Sequence, residues 1–170
     1  MKNVLYLYTI MVLLALSSCV KPPEYPIEPE IEFLNLDINE IPQDKGVIES
    51  FVWATISFRD GDGDIGEGGD TPGKFIFLKD LRDGSTPDVF GIPEVPALGS
   101  NNGISGEISF KIRSSCCQYP DFITDAIDCE ASIQYPIDTV IYEVYIEDRA
   151  GNRSNTVELA PIYLACDEEA

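Results

Sequence analysis

Histidine is absent from the 170-residue chain, and that absence excludes more chemistry than any residue present. Without imidazole there is no Ser-His-Asp triad, no Cys-His pair and no His-ligated zinc. Positive charge is scarce as well: 11 Lys+Arg stand against 30 Asp+Glu, a formal net charge of −19. Such a surface repels nucleic acid rather than releasing its counterions. No G-x-S-x-G, P-loop or H-E-x-x-H sequence occurs, no residue is assigned a catalytic role, and the expectation is a protein that is not an enzyme. The length suits one domain with its own core.

What is present begins with an N-terminal segment of a different kind. Residues 1–18 carry Lys2, no acid and an apolar run from Ile10 to Leu16. That run is too short to span a bilayer, which takes about 20 apolar residues in a helix, and it follows a basic start as a secretory signal does. It ends in Leu16-Ser17-Ser18-Cys19, which resembles the bacterial lipobox. The resemblance implies cleavage before Cys19 and lipidation of that cysteine with palmitate-class chains, so the expected cofactor there is a covalent lipid. Cleavage leaves 152 residues with both methionines gone. Several acyl chains on one cysteine anchor a protein durably, at about 0.8 kcal/mol per buried methylene. Val20 stands where enterobacterial lipoproteins retained in the inner membrane carry Asp, so the analogy favours the outer membrane, in its periplasmic or surface-facing leaflet.

Residues 19–30 hold the lipidated cysteine and a proline-rich stretch, Val-Lys-Pro-Pro-Glu-Tyr-Pro-Ile-Glu-Pro-Glu over 20–30. Prolines so spaced favour extended chain at about 3.1 Å per residue, enough to hold a domain on the order of 30 Å from the lipid. It reads as a tether, and its acids Glu24, Glu28 and Glu30 loosely resemble lipoprotein surface-export signals.

Residues 31–166 read as all-β, ahead of a short acidic tail over 167–170. After cleavage there are 19 Ile and 8 Val but only 7 Leu, and a β-branched excess favours strands. Alternation agrees: Val52, Ala54, Ile56 and Phe58 share one face, as do Ile108, Phe110 and Ile112, and Val140, Tyr142, Val144 and Ile146. Segments 31–38, 74–78 and 157–164 complete six or seven strands, with a turn of helix expected within 119–131. Trp53, inside a strand, is expected in the core. This pattern implies an immunoglobulin-like antiparallel β-sandwich, with a jelly roll as the alternative. The segment Ile146-Glu-Asp-Arg-Ala-Gly-Asn-Arg-Ser-Asn-Thr-Val157 resembles the last hairpin of many bacterial Ig-like domains, with Gly151 and Asn152 suited to positive φ.

The densest polar constellation is Phe58-Arg-Asp-Gly-Asp-Gly-Asp-Ile-Gly-Glu-Gly-Gly-Asp70. Asp60, Asp62, Asp64, Glu67 and Asp70 crowd five carboxylates into eleven residues, with Arg59 beside them. Ca²⁺ takes six to eight oxygens, and alternating Asp-Gly lets a backbone aim successive carboxylates inward. An EF-hand is excluded, because Ile65 and Thr71 stand where that loop needs Gly and Glu. In a sandwich the last hairpin lies at the same end, so Asp148 and Asn152 join the candidate calcium ligands. The competing reading is a solvated interstrand turn.

Taken together, the lipobox, the acidic proline-rich tether, the FRDGDGDIG run from Phe58 and the DRAGNRSN run from Asp148 resemble small lipoproteins of Bacteroidetes-type bacteria. The resemblance implies an Ig-like fold and an envelope location, without naming a ligand.

Cys116, Cys117, Cys129 and Cys166 remain after lipidation, and an exported compartment permits two disulfides. If the strand through Ile112 continues, Cys116 falls on its inward face, towards the strand that Cys166 ends. The favoured pairing is Cys116–Cys166 with Cys117–Cys129; the swapped pairs are the alternative. Three functions follow in order: a non-enzymatic binding or structural module contacting an envelope protein or polymer, a carbohydrate-binding lipoprotein of a glycan-uptake system, and a carboxylate-based hydrolase. Tyr119, Tyr135 and Tyr145 are candidates for a binding face. Radioactive palmitate should label the wild-type protein and leave Cys19→Ala unlabelled; equal labelling of both would rule out lipidation at that cysteine.

Overall fold

A computed structural model of the chain describes residues 24–46, 50–68, 75–84, 88–93, 95 and 103–167. The expected signal segment, Cys19 and residues 168–170 of the acidic tail lie outside that range, as does Asp70. Among the described residues every regular element is a strand: β1 Glu30–Leu36, β2 Glu40–Pro42, β3 Phe51–Asp60, β4 Ile76–Asp80, β5 Asp88–Phe90, β6 Ile104–Arg113, β7 Ile137–Val140, β8 Tyr142–Ile146, β9 Val157–Glu158 and β10 Ile162–Ala165. The turn of helix expected within 119–131 is replaced by turns and bends.

The strands form three sheets, ordered β1-β3-β6, β5-β4-β8-β9 and β2-β10-β7, antiparallel except for the parallel β2–β10 pair. The last two sheets are halves of one long hairpin. Glu143 pairs with Glu158 and Val144 with Val157, but Val140 pairs with Ile162, so Leu159, Ala160 and Pro161 oppose only Ile141 and Tyr142. One extra residue and a proline without an N–H interrupt the ladder there. Segments expected as single strands, 140–146 and 157–164, are therefore each divided.

The alternation in β3 does what the sequence predicts: Val52, Ala54, Ile56 and Phe58 are buried and meet Ile31, Ile76, Leu78, Phe110, Ile112, Val144 and Ile146 in one apolar cluster. Both sheet systems feed this cluster, an arrangement consistent with a β-sandwich. The same alternation puts Trp53 outside. It is 42 % exposed, with Phe51 edge-on at 6.2 Å, so the expectation of a core tryptophan is corrected. Strand register outweighs the general tendency of tryptophan to be buried.

The disulfide pairing is corrected too: Cys116 bonds Cys129 and Cys117 bonds Cys166. β6 ends at Arg113, and beyond it the alternation slips, so Cys117, not Cys116, is buried beside Cys166. Gln43 fixes the new register by accepting a hydrogen bond from the Cys117 N–H and donating to the carbonyls of Cys166 and Glu130. Nearby, the half-buried Arg82 guanidinium spends its donors on Asp80, Asp138, Ser115 Oγ and the Cys116 carbonyl. In the chain-entropy account a closed loop of 49 residues constrains the unfolded chain by about 4 kcal/mol and one of 13 by about 3. Replacing Cys117 and Cys166 by Ser should thus cost more in denaturant unfolding than replacing Cys116 and Cys129, and a non-reducing peptide map should recover these two pairs.

Candidate metal centre

Two strands deliver carboxylates to one place by the same rule. In β3 the inward positions run Val52, Ala54, Ile56, Phe58 and then Asp60; after β8 they run Tyr142, Val144, Ile146 and then Asp148. Each strand thus ends its apolar face with an aspartate, and β3 and β8 lie in different sheets. Asp60 is 0 % exposed and Asp148 4 %.

The turn after β3 adds the other two. Gly63 and Gly66 adopt φ of 74° and 85°, a region open to glycine at no steric cost. The turn closes when the Asp64 N–H donates to Asp60 Oδ2 at 2.8 Å. One ligand oxygen from each of Asp60, Asp62, Asp64 and Asp148 then lies within 4.8 Å of the others. The second turn is bound to the first, with the Ala150 N–H donating to Asp64 Oδ2 at 3.0 Å and the Arg149 N–H to the Asp64 carbonyl at 3.3 Å.

Four carboxylates this close repel, and burial worsens it by removing solvent. Burial pushes the Asp60 carboxyl up to about 6, against the pull of the Asp64 N–H, and Asp62, Asp64 and Asp148 add to the rise. Asp64 is raised for the same reasons, by burial and then by Asp148 and Asp62, with Arg149 and the Ala150 N–H opposing. Arg149 does not close the cluster: its guanidinium donates to the carbonyls of Gly66 and Glu67. Arg59, the cation adjacent in sequence, turns outward to Glu30 and Glu32. Asp60 Oδ1 and Asp64 Oδ1 are buried without a hydrogen-bond partner.

Of the seven expected ligands, then, Asp60, Asp62, Asp64 and Asp148 come together. Asn152 stands beside them in another role. Its N–H donates to Asp148 Oδ1 at 2.7 Å and its Nδ2 to Oδ2 at 2.8 Å, so it orients a ligand instead of being one. Glu67 is drawn away, its N–H donating to the Ile92 carbonyl as Ile65 turns into the core. Asp70 lies outside the described residues. The donor set is all oxygen and mostly carboxylate, which suits a hard cation; Ca²⁺ tolerates an irregular loop geometry better than Mg²⁺ does.

Sequence reasoning missed Asn155, in the turn that follows Asp148. Its side-chain amide accepts from the Ile31 N–H at 2.8 Å and donates to the Ile31 carbonyl at 2.9 Å, so it stands in for a strand beside β1. Away from this end, a cleft of about 400 Å³ is lined by Phe90, Ile112, Arg113 and Tyr142 over Arg82. No protein-family model matches the chain, and no curated protein or solved structure matches it at a significant level.

A carboxyl whose folded pKa exceeds its unfolded value takes up a proton on folding, so its cost is absent near pH 4 and complete above about 6. In chelator the protein should melt higher at pH 5 than at pH 7.5, and Asp60→Asn should narrow that difference. At pH 7.5, calcium a hundredfold above its Kd should raise the melting temperature by roughly 10 °C in wild type and have little effect on Asp60→Asn.

Proposed function

We propose that this chain is an exported, outer-membrane lipoprotein of Ig-like type, stabilised by calcium at Asp60, Asp62, Asp64 and Asp148, and that it works as a non-enzymatic binding module of the envelope. The anchor rests on the lipobox sequence ending at Cys19, and the exported compartment accords with two disulfides. The Ig-like assignment rests on strand pattern and on the Asp148–Asn155 turn.

The observation that carries the binding role is a cross-linked loop that displays large apolar side chains. Between Cys116 and Ile137, Phe122 is 84 % exposed and Ile133 91 %, and Ile127 and Ile137 are exposed as well. The loop is held at several points: the Cys116–Cys129 bond, the Cys129 N–H on the Cys117 carbonyl, the Ser132 N–H on the Cys166 carbonyl, and the Tyr119 hydroxyl on the Glu130 carbonyl. A loop fixed this way presents apolar surface without losing ordering entropy when a partner arrives, which favours protein association.

The glycan-binding alternative is less well supported. A sugar platform uses open aromatic faces, but Phe51 and Trp53 stand at 90° to each other, and Lys111 lies over the Phe51 ring. The Phe77 and Tyr145 rings stack at 4.6 Å on each other, and Arg153 covers Tyr145. The hydrolase reading has no observation to carry it: the converging carboxylates form one four-membered acidic cluster, not an acid and a nucleophile or base flanking a bond to be cut.

Cross-linking in intact envelopes should yield a defined adduct with wild type, and Phe122→Ser combined with Ile133→Ser should remove it while leaving the melting temperature within about 2 °C. An adduct that persists unchanged in the double variant would exclude this loop as the contact.

A further inference from the structure

The turn that carries the metal ligands is also a seat for the N-terminal segment. Residues 24–29, part of the proline-rich tether, lie along the sandwich, with Pro29 buried. A Cβ built on Gly61, between ligands Asp60 and Asp62, would stand 2.4 Å from the Tyr25 carbonyl oxygen and 2.5 Å from that of Pro26. One built on Gly103 would stand 2.6 Å from the Tyr25 ring and 2.8 Å from the Asp60 carbonyl oxygen. The tether backbone thus rests directly on the backbone of the ligand turn, a closeness that only glycine permits. Tyr25 adds a hydroxyl hydrogen bond to Ser105 Oγ at 3.3 Å, and Asn155 grips Ile31 from the turn after Asp148. The tether thus touches the Asp60–Asp64 turn directly, and the strand that follows it is held by the Asp148–Asn155 turn.

Hydrogen bonds from the Ala150 and Arg149 N–H groups to Asp64 join the two turns, and a cation on the four aspartates would remove the charge repulsion that works against those bonds. With no cation, the Asp60, Asp62, Asp64 and Asp148 carboxylates repel within 4.8 Å of one another, and Asp60 Oδ1 is fully buried with no hydrogen-bond partner. We propose that a divalent cation held by these four aspartates acts as a clamp for the chain's own tether, fixing residues 24–29 on the Gly61–Gly103 seat when bound and releasing them when removed. This deepens the calcium reading above and rests on it. At about 3.1 Å per residue of proline-rich chain, release of six residues lengthens the free tether by about 19 Å. The cation would thereby set how far the domain stands from its anchor. Linkage makes the effect reciprocal: whatever the cation adds to tether docking, docking adds to cation affinity.

The test uses the full-length protein in detergent with 3-fluorotyrosine in place of Tyr25, observed by ¹⁹F NMR alongside calorimetric titration with calcium. In calcium the fluorine should give a single shifted resonance, and in chelator most of the signal should move to the position of free fluorotyrosine. Tyr25→Ala, which removes no ligand, should weaken calcium binding at least threefold. A resonance unchanged by chelator in protein that demonstrably binds calcium would overturn the clamp and leave the calcium site standing. Calcium affinity unchanged in Tyr25→Ala would overturn it as well. No heat of calcium binding at all would overturn the calcium site, and the clamp with it.

Discussion

The structure turns on the burial of Asp60 and Asp148 at the inward positions that follow Phe58 and Ile146. Alternation gives these carboxylates no other direction, because turning either outward would turn every apolar residue of its strand outward too. The hydrogen bonds they receive come from their own turns, through Asp64 for one and Asn152 for the other. Those bonds orient the carboxylates without neutralising them. Two further aspartates then converge from the turn after β3 and two oxygens remain unpartnered, so the demand for positive charge is set by strand register and that turn together. On the clamp proposal, the position of both turns and of the chain segment resting against them follows from how that demand is met.

The other end of the molecule handles the same electrostatic difficulty by fixed means. Asp80 and Asp138 share Arg82, with Nη2 2.6 Å from Asp80; burial works against the guanidinium's charge, but the two carboxylates outweigh it and hold the group more firmly protonated. Around it, Cys117–Cys166 and Gln43 tie β6, β10 and the residues after β2 together. Side chains and covalent bonds of the chain itself hold that end. On the calcium reading the aspartate end depends on a solute, so pH and chelator should act there first.

Much of this was legible in the sequence, and the failures have physical causes. Period-2 patterning identified β3, β6 and β8 because both sheet faces differ sharply in polarity along them. Applied past Arg113, the same rule placed the wrong cysteine inside: alternation holds only while the ladder does. Trp53 shows the converse, since its place between Val52 and Ala54 already made it an outward residue. Three members of the carboxylate cluster were legible from Asp-Gly spacing and Asp148 from topology, whereas Glu67 was lost because Ile65 is apolar enough to be pulled into the core. Nothing in the local sequence marks Arg82, whose partner Asp138 lies 56 residues away, or Asn155, which reaches Ile31 across 124.

Charge narrows what can cover the apolar loop on the binding reading. From Ser114 to Asp148 the chain has no Lys or Arg and eight acids, among them Asp121, Asp125, Asp128 and Glu130 within the loop itself. These four are exposed beside Phe122, Ile127 and Ile133. A second copy would bring the same acids against them, and an anionic lipid surface would add to the repulsion. Like charges brought together at an interface cost several kcal/mol, comparable to what two or three apolar side chains return at about 1.5–3 kcal/mol each, so either of these would leave little net gain. A surface that combines an apolar centre with basic residues at its rim meets both demands, since rim charges speed encounter and the buried apolar contacts slow departure. On the binding reading, the scarcity of positive charge in this chain makes a partner that brings Lys and Arg to the rim the better match.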